Sequence, residues 1–181
     1  MNRCAALLLA TFFSALGLGN VEARAWKPQG LALAQDYSVI TDVRPSHDII
    51  TVLWFAPPLA PSSPTAQAVL DRYIIIGASH VKQDTVSGQM ESTPLDTIQV
   101  SDSDEKPLTL LEGDKIPPTV SGVISGMGGV MRQSMGVVGT GMRFFAYESG
   151  SVHACSKGRL SISYVGETYT YDTPMPGCPA P

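Results

Sequence analysis

The sequence predicts a single α+β domain with a mixed β-sheet, one short crossover helix, one longer Met- and Gly-rich helix and a C-terminal disulfide-tied β-hairpin. Three observations point there. Residues 49–55 (IITVLWF) and 73–78 (YIIIGA) are continuous apolar runs, the mark of strands covered on both faces. Residues 119–138 carry apolar side chains at helical spacing. Residues 160–171 alternate polar and apolar across a Gly-containing turn, with Cys155 before them and Cys178 after.

The first element is one that the folded protein loses. Residues 1–25 contain one early basic residue, Arg3, then the apolar stretch 4–19, and close on Ala23-Arg24-Ala25, the small-x-small pattern of a secretory signal peptide. The sixteen-residue stretch includes Gly17 and Gly19 and falls short of the ~20 residues that span a bilayer. The expectation is therefore a cleaved leader, a mature chain from Trp26, a domain over 26–181 without a stable transmembrane span, and a periplasmic or secreted location. Without the leader, ten basic and fifteen acidic residues remain. Nucleic acid is excluded as a partner, because phosphate-backbone binding needs a basic surplus. With 44% hydrophobic and 15% charged residues, the chain can build a packed core.

The remaining elements follow in order. A short helical turn is expected at 31–35 and a strand at 39–43. After the first apolar run come Pro57, Pro58, Pro61 and Pro64; Ser63 before Pro64 fits an N-cap with proline in the first turn. A helix over 64–72 leads into the second run, and a connection of this length suits a right-handed parallel crossover, with both runs central in the sheet. Residues 82–118 turn acidic, with eight carboxylates and three lysines, and two short strands are expected at 97–100 and 108–111. In the 119–138 helix, Val120, Val123, Ile124, Met127, Val130, Met131, Met135 and Val138 share one side. Its glycines weaken it by about 0.8–1 kcal/mol each relative to alanine, so tertiary packing must hold it, and close approach of another backbone is the expected reason for them. A strand at 142–147 follows. In the hairpin, a turn centred on Gly166 and Glu167 sets Tyr164 opposite Tyr169 and Ile162 opposite Tyr171.

Chemistry-bearing residues are sparse. With Cys4 lost in the leader, Cys155 and Cys178 form an even pair, which in an oxidising compartment reads as one disulfide; a nucleophilic Cys155 beside His153 is the sharper and less favoured alternative. The chain has no Gly-x-Ser-x-Gly and no phosphate-cradling glycine motif. His80 follows the second buried run, next to Ser79 and four residues before Asp84, which makes it the one catalytic candidate, against the plainer reading of an exposed histidine at a strand end. His47 and Asp48 read as a solvated loop. Asp102, Asp104 and Glu105 only partly resemble a calcium loop, since Lys106 and Pro107 stand where further ligands belong; they are read as a solvated acidic contact surface. No metal and no cofactor is called. The function expected is a non-enzymatic binding or interaction module of the envelope, its partner another envelope or extracellular protein or component. The alternative is a small exported hydrolase or transferase with its site around His80.

Overall fold

The structure is a computed structural model that describes residues 38–43, 47–60 and 62–178. The leader and the helical turn expected at 31–35 lie outside the described residues. Two antiparallel sheets and two helices follow one another as an α+β domain. The larger sheet runs in the order β1 (Ser38–Val43), β2 (Asp48–Phe55), β3 (Tyr73–Gln83), β7 (Arg143–Glu148), β6 (Leu110–Leu111), and β4 (Met90–Thr93) also pairs with β3. The smaller sheet has the order β5 (Gln99–Ser101), β8 (Gly158–Tyr164), β9 (Glu167–Thr173). Both apolar runs are interior strands, and six consecutive residues of β2 are buried.

Strand direction corrects one expectation. β2 and β3 pair antiparallel, with Phe55 opposite Ile75 and Asp48 opposite Lys82, and every ladder among the described strands is antiparallel. The physical reason lies in lengths. A parallel crossover must carry the chain back along all eight residues of β2, about 26 Å. Helix α1 (Pro64–Arg72) has nine residues, about 13 Å, and enters β3 without a loop. Before it comes the proline-rich turn at Pro57–Leu59. Ser63 caps α1 as the sequence predicts, its Oγ accepting from the Ala66 N–H at 3.3 Å.

The hairpin is also corrected, by one position. Leu160 lies opposite Tyr171, Ile162 opposite Tyr169 and Tyr164 opposite Glu167, so the turn centres on Val165 and Gly166, both at positive φ (51° and 79°), as a type I′ turn requires. The shift preserves which face is buried. It sets Ser163 against Thr168, with hydroxyls 3.2 Å apart, and lets Arg159 Nε donate to Asp172 Oδ1 at 2.8 Å.

Between the sheets lies the core. Ile50, Val52 and Trp54 of β2 and Ile74, Ile76 and Ala78 of β3 meet Leu160, Ile162, Tyr169 and Tyr171 of the smaller sheet. Trp54 and Tyr171 are edge to face at 5.8 Å, and the Tyr171 hydroxyl donates to the Val52 carbonyl at 2.9 Å. Burial pushes the Tyr171 and Tyr147 phenols far above their usual range, so both stay protonated donors; Tyr147 donates to the Ile98 carbonyl at 3.1 Å.

Helix α2 (Pro118–Thr140) packs on β3 and β4, with the Phe144 ring of β7 beside Gly128. It breaks at Gly136 (φ 54°, ψ −125°), and the last turn folds back so that a Cβ at Gly139 would collide with the Met131 carbonyl. That contact is with the helix's own backbone, at a glycine beyond 119–138, and not the approach of another backbone expected there. At Gly122, Gly126 and Gly129 the expected approach is absent: among the described residues, nothing beyond the helix's own backbone and the chain neighbours lies within 4 Å of where a Cβ would stand.

Candidate functional site

His80 is 6% exposed and not the solvent-facing strand end of the plainer reading. Strand alternation separates it from Ser79, which points to the other face, and Asp84 lies in the following turn, where its carboxylate accepts from Val86 and Ser87. The residues that meet His80 come from further away. Asp48 begins β2 opposite Lys82, which puts it on the same face two positions along, and its Oδ2 lies 3.4 Å from His80 Nε2. From the smaller sheet, the Tyr164 hydroxyl reaches His80 Nδ1 at 3.0 Å, with the rings edge to face at 5.7 Å. The Asp48 approach is an ion-pair distance and not a hydrogen bond: His80 Nε2 and Asp48 Oδ1 are buried without a hydrogen-bond partner among the described residues, while Nδ1 can accept from the phenol when the imidazole proton sits on Nε2. Burial, then the negative charges of Asp96 and Asp48, hold the Tyr164 phenol above its ordinary pKa, so it remains a donor. The three groups form a carboxylate–imidazole–phenol chain that joins the two sheets.

The acidic triplet divides. Asp102 is 6% exposed; its Oδ1 accepts from the Asp104 and Lys106 N–H groups, each at 3.0 Å, and its Oδ2 from the Ser151 hydroxyl at 2.9 Å. These bonds, the Lys106 amide first and the Ser151 hydroxyl next, hold its pKa below the usual carboxylate value. Asp102 therefore fastens the turn instead of facing solvent, and only Asp104 and Glu105 are exposed. Cys155 and Cys178 are disulfide-bonded, with Cα atoms 5.3 Å apart. That corrects the nucleophile alternative, since a bonded sulfur cannot attack. Among the described residues there is no cluster of three metal-ligating side chains, and no helix is long and apolar enough to cross a membrane.

A groove between the two helices was not foreseen. Between α1 with its preceding turn and α2, over Leu53 and Phe55 of β2, runs a groove of about 820 Å³ lined, among the described residues, by sixteen side chains and glycines, none of them charged. α1 contributes Ala66 and Leu70, and α2 contributes Gly122, Val123, Gly126, Met127, Val130 and Met131. A smaller cavity of about 360 Å³ lies between Trp54, Asp71 and the Cys155 end of the disulfide. Neither is lined by Asp48, His80 or Tyr164. The sequence signal for the groove was present in part: the helix stripe that includes Val130 is wider than a helix needs to cover one sheet, and Val130 is 57% exposed. No protein-family model matches the chain, and neither does any curated protein or solved structure.

Proposed function

We propose that the protein is an exported, non-enzymatic binding module that holds an apolar part of an envelope or extracellular component in the groove between α1 and α2. The groove carries the reading. Its volume of about 820 Å³ falls in the ~300–1,000 Å³ range of ligand pockets, and its described lining residues offer aliphatic, aromatic, thioether and hydroxyl groups without a charge. Met127 and Met131 supply flexible, polarizable walls that adapt to an occupant. Asp104 and Glu105 remain an accessory acidic contact on a separate turn. Export rests on the leader read in the sequence, and a disulfide is compatible with an oxidising compartment. The test is titration with the neutral fluorophore N-phenyl-1-naphthylamine. Fluorescence should rise on binding and fall at least tenfold in affinity with Met127→Glu, which buries a charge in the groove; no enhancement with the unaltered protein refutes the reading.

The Asp48–His80–Tyr164 chain favours a second reading, an exported hydrolase or transferase. There the half-buried Tyr164 phenol would face substrate, with His80 as its base and Asp48 orienting the imidazole. Loss of turnover in Tyr164→Phe with the fold intact would support this reading, and unchanged turnover would remove it.

A further inference from the structure

Building on the groove reading, we propose that the groove has a resident occupant from the same chain, the uncharged segment 28–35 (PQGLALAQ), which an external ligand must displace. Place comes first. The described residues begin at Ser38, and Ser38 pairs with Leu53, which lines the groove. Residues paired across a ladder share a face and lie about 4.5–5.5 Å apart, so the chain enters β1 on the helix side, one strand from the groove floor. Because β1 runs antiparallel to β2, its first residue is at the end nearest Phe55, a second lining residue. The route is also open: Ile40, on the helix-side face with Ser38, is 61% exposed.

Reach comes second. The groove follows α2 from Thr119 to Ser134, about 22 Å at 1.5 Å per residue. Leu33 and Leu31 precede Ser38 by five and seven residues, and a chain spans up to ~3.3–3.6 Å per residue, so roughly 17 and 24 Å of tether bring either leucine within the groove. A short tether holds its segment at an effective concentration on the order of millimolar, against which any free ligand competes. Chemistry comes third. A lining without charge meets eight residues without charge, and the nearest charges on either side are Lys27 and Asp36. Of the residues outside the described set, only 1–37 carry large apolar side chains; with 1–25 read as a leader, these are Trp26, Leu31, Leu33 and Tyr37.

The experiment has two arms on the full chain. In the first, p-benzoylphenylalanine is placed at position 33, the purified protein is irradiated, and the crosslink is mapped by tryptic digestion. The expected product joins position 33 to the peptide 116–132, which contains Met127 and Met131, within one chain. In the second arm, N-phenyl-1-naphthylamine is titrated into the unaltered protein and into the Leu31→Glu, Leu33→Glu double variant. Two carboxylates should keep the segment out of an uncharged groove, so dye affinity should rise at least threefold in the variant. The proposal requires both results, and either one alone overturns it. If the dye binds both proteins equally and the crosslink falls elsewhere, the resident segment fails while the groove reading stands. If the dye binds neither protein, both fail. A crosslink that joins two chains overturns the proposal and assigns the groove to a second copy.

Discussion

Strands β2 and β3 have two faces, and the protein treats them differently. The face bearing Val52, Trp54, Ile76 and His80 is closed by the smaller sheet, with those four side chains buried and the Tyr171 and Tyr164 hydroxyls tied to a backbone carbonyl and an imidazole. The face bearing Leu53 and Phe55 is covered by two helices that leave a channel between them. One strand thus contributes to a sealed interior through even-numbered residues and to an open one through odd-numbered residues. The lesson concerns where chemistry can occur: polar side chains of catalytic type sit on the sealed side, and space sits on the open side.

That contrast is breakable by substitution. Trp54→Ala on the sealed face should cost about 3–5 kcal/mol, whereas Met127→Ala at the channel wall should cost under about 1 kcal/mol because its site is already partly open. Urea unfolding with an unchanged m-value measures both, and equal losses would abolish the distinction. Next in size is the disulfide, which ties the end of the smaller sheet. Residues 155 and 178 are 23 apart, and the chain-entropy model assigns a loop of that size about 3.4 kcal/mol. The Cys155→Ser, Cys178→Ser double variant should lose that much, with the hairpin amides of β8 and β9 exchanging first and those of β2 and β3 only through global unfolding.

Smaller effects sharpen the comparison. Asp102 has its pKa lowered in the folded state, so its contribution is fully present above the unfolded carboxylate value near 3.9 and is lost as pH falls through the folded one. Asp102→Asn should therefore lower stability at pH 7, and the difference from the unaltered protein should shrink below about pH 4; a pH-independent difference would mean that shape rather than charge holds the turn. Smallest is the Thr51→Val, Ser79→Ala pair. These residues face each other across β2 and β3 on the helix side, are at most 1% exposed, and have hydroxyls without a hydrogen-bond partner among the described residues. Removing both hydroxyls should change stability by less than about 1 kcal/mol or raise it.

Much of the fold was legible where local chemistry decides it. Residues 49–55 and 73–78 announced interior strands by lacking polar alternation, Ser63-Pro64 announced a helix start, and the even cysteine pair announced a bond. Direction was not legible, because the same seventeen-residue connection serves a parallel or an antiparallel neighbour until the helix length is set against the strand length. The hairpin turn escaped by one position, and with it the register by two residues, since Val165 at positive φ runs against the preference of a β-branched residue. The histidine cluster was unreadable for a different reason: Tyr164 lies 84 residues from His80, and Asp48 was read as loop when it is the first residue of β2. The channel is an absence between two helices, and no residue pattern encodes the distance at which two elements stop.

The Tyr171–Val52 bond spans 119 positions, and this has a consequence for the timing of synthesis. The closing sheet draws β8 and β9 from the last part of the chain, while the surface they close, on β2 and β3, emerges first. A nascent chain that has reached Thr140 has both central strands and both helices but lacks Leu160, Ile162, Tyr169 and Tyr171. Pairings of such long range form late, because loop closure precedes any gain from contact. The sealed face therefore stays open until the final strands arrive, and Ile50, Val52 and Trp54 need shielding from other chains until then.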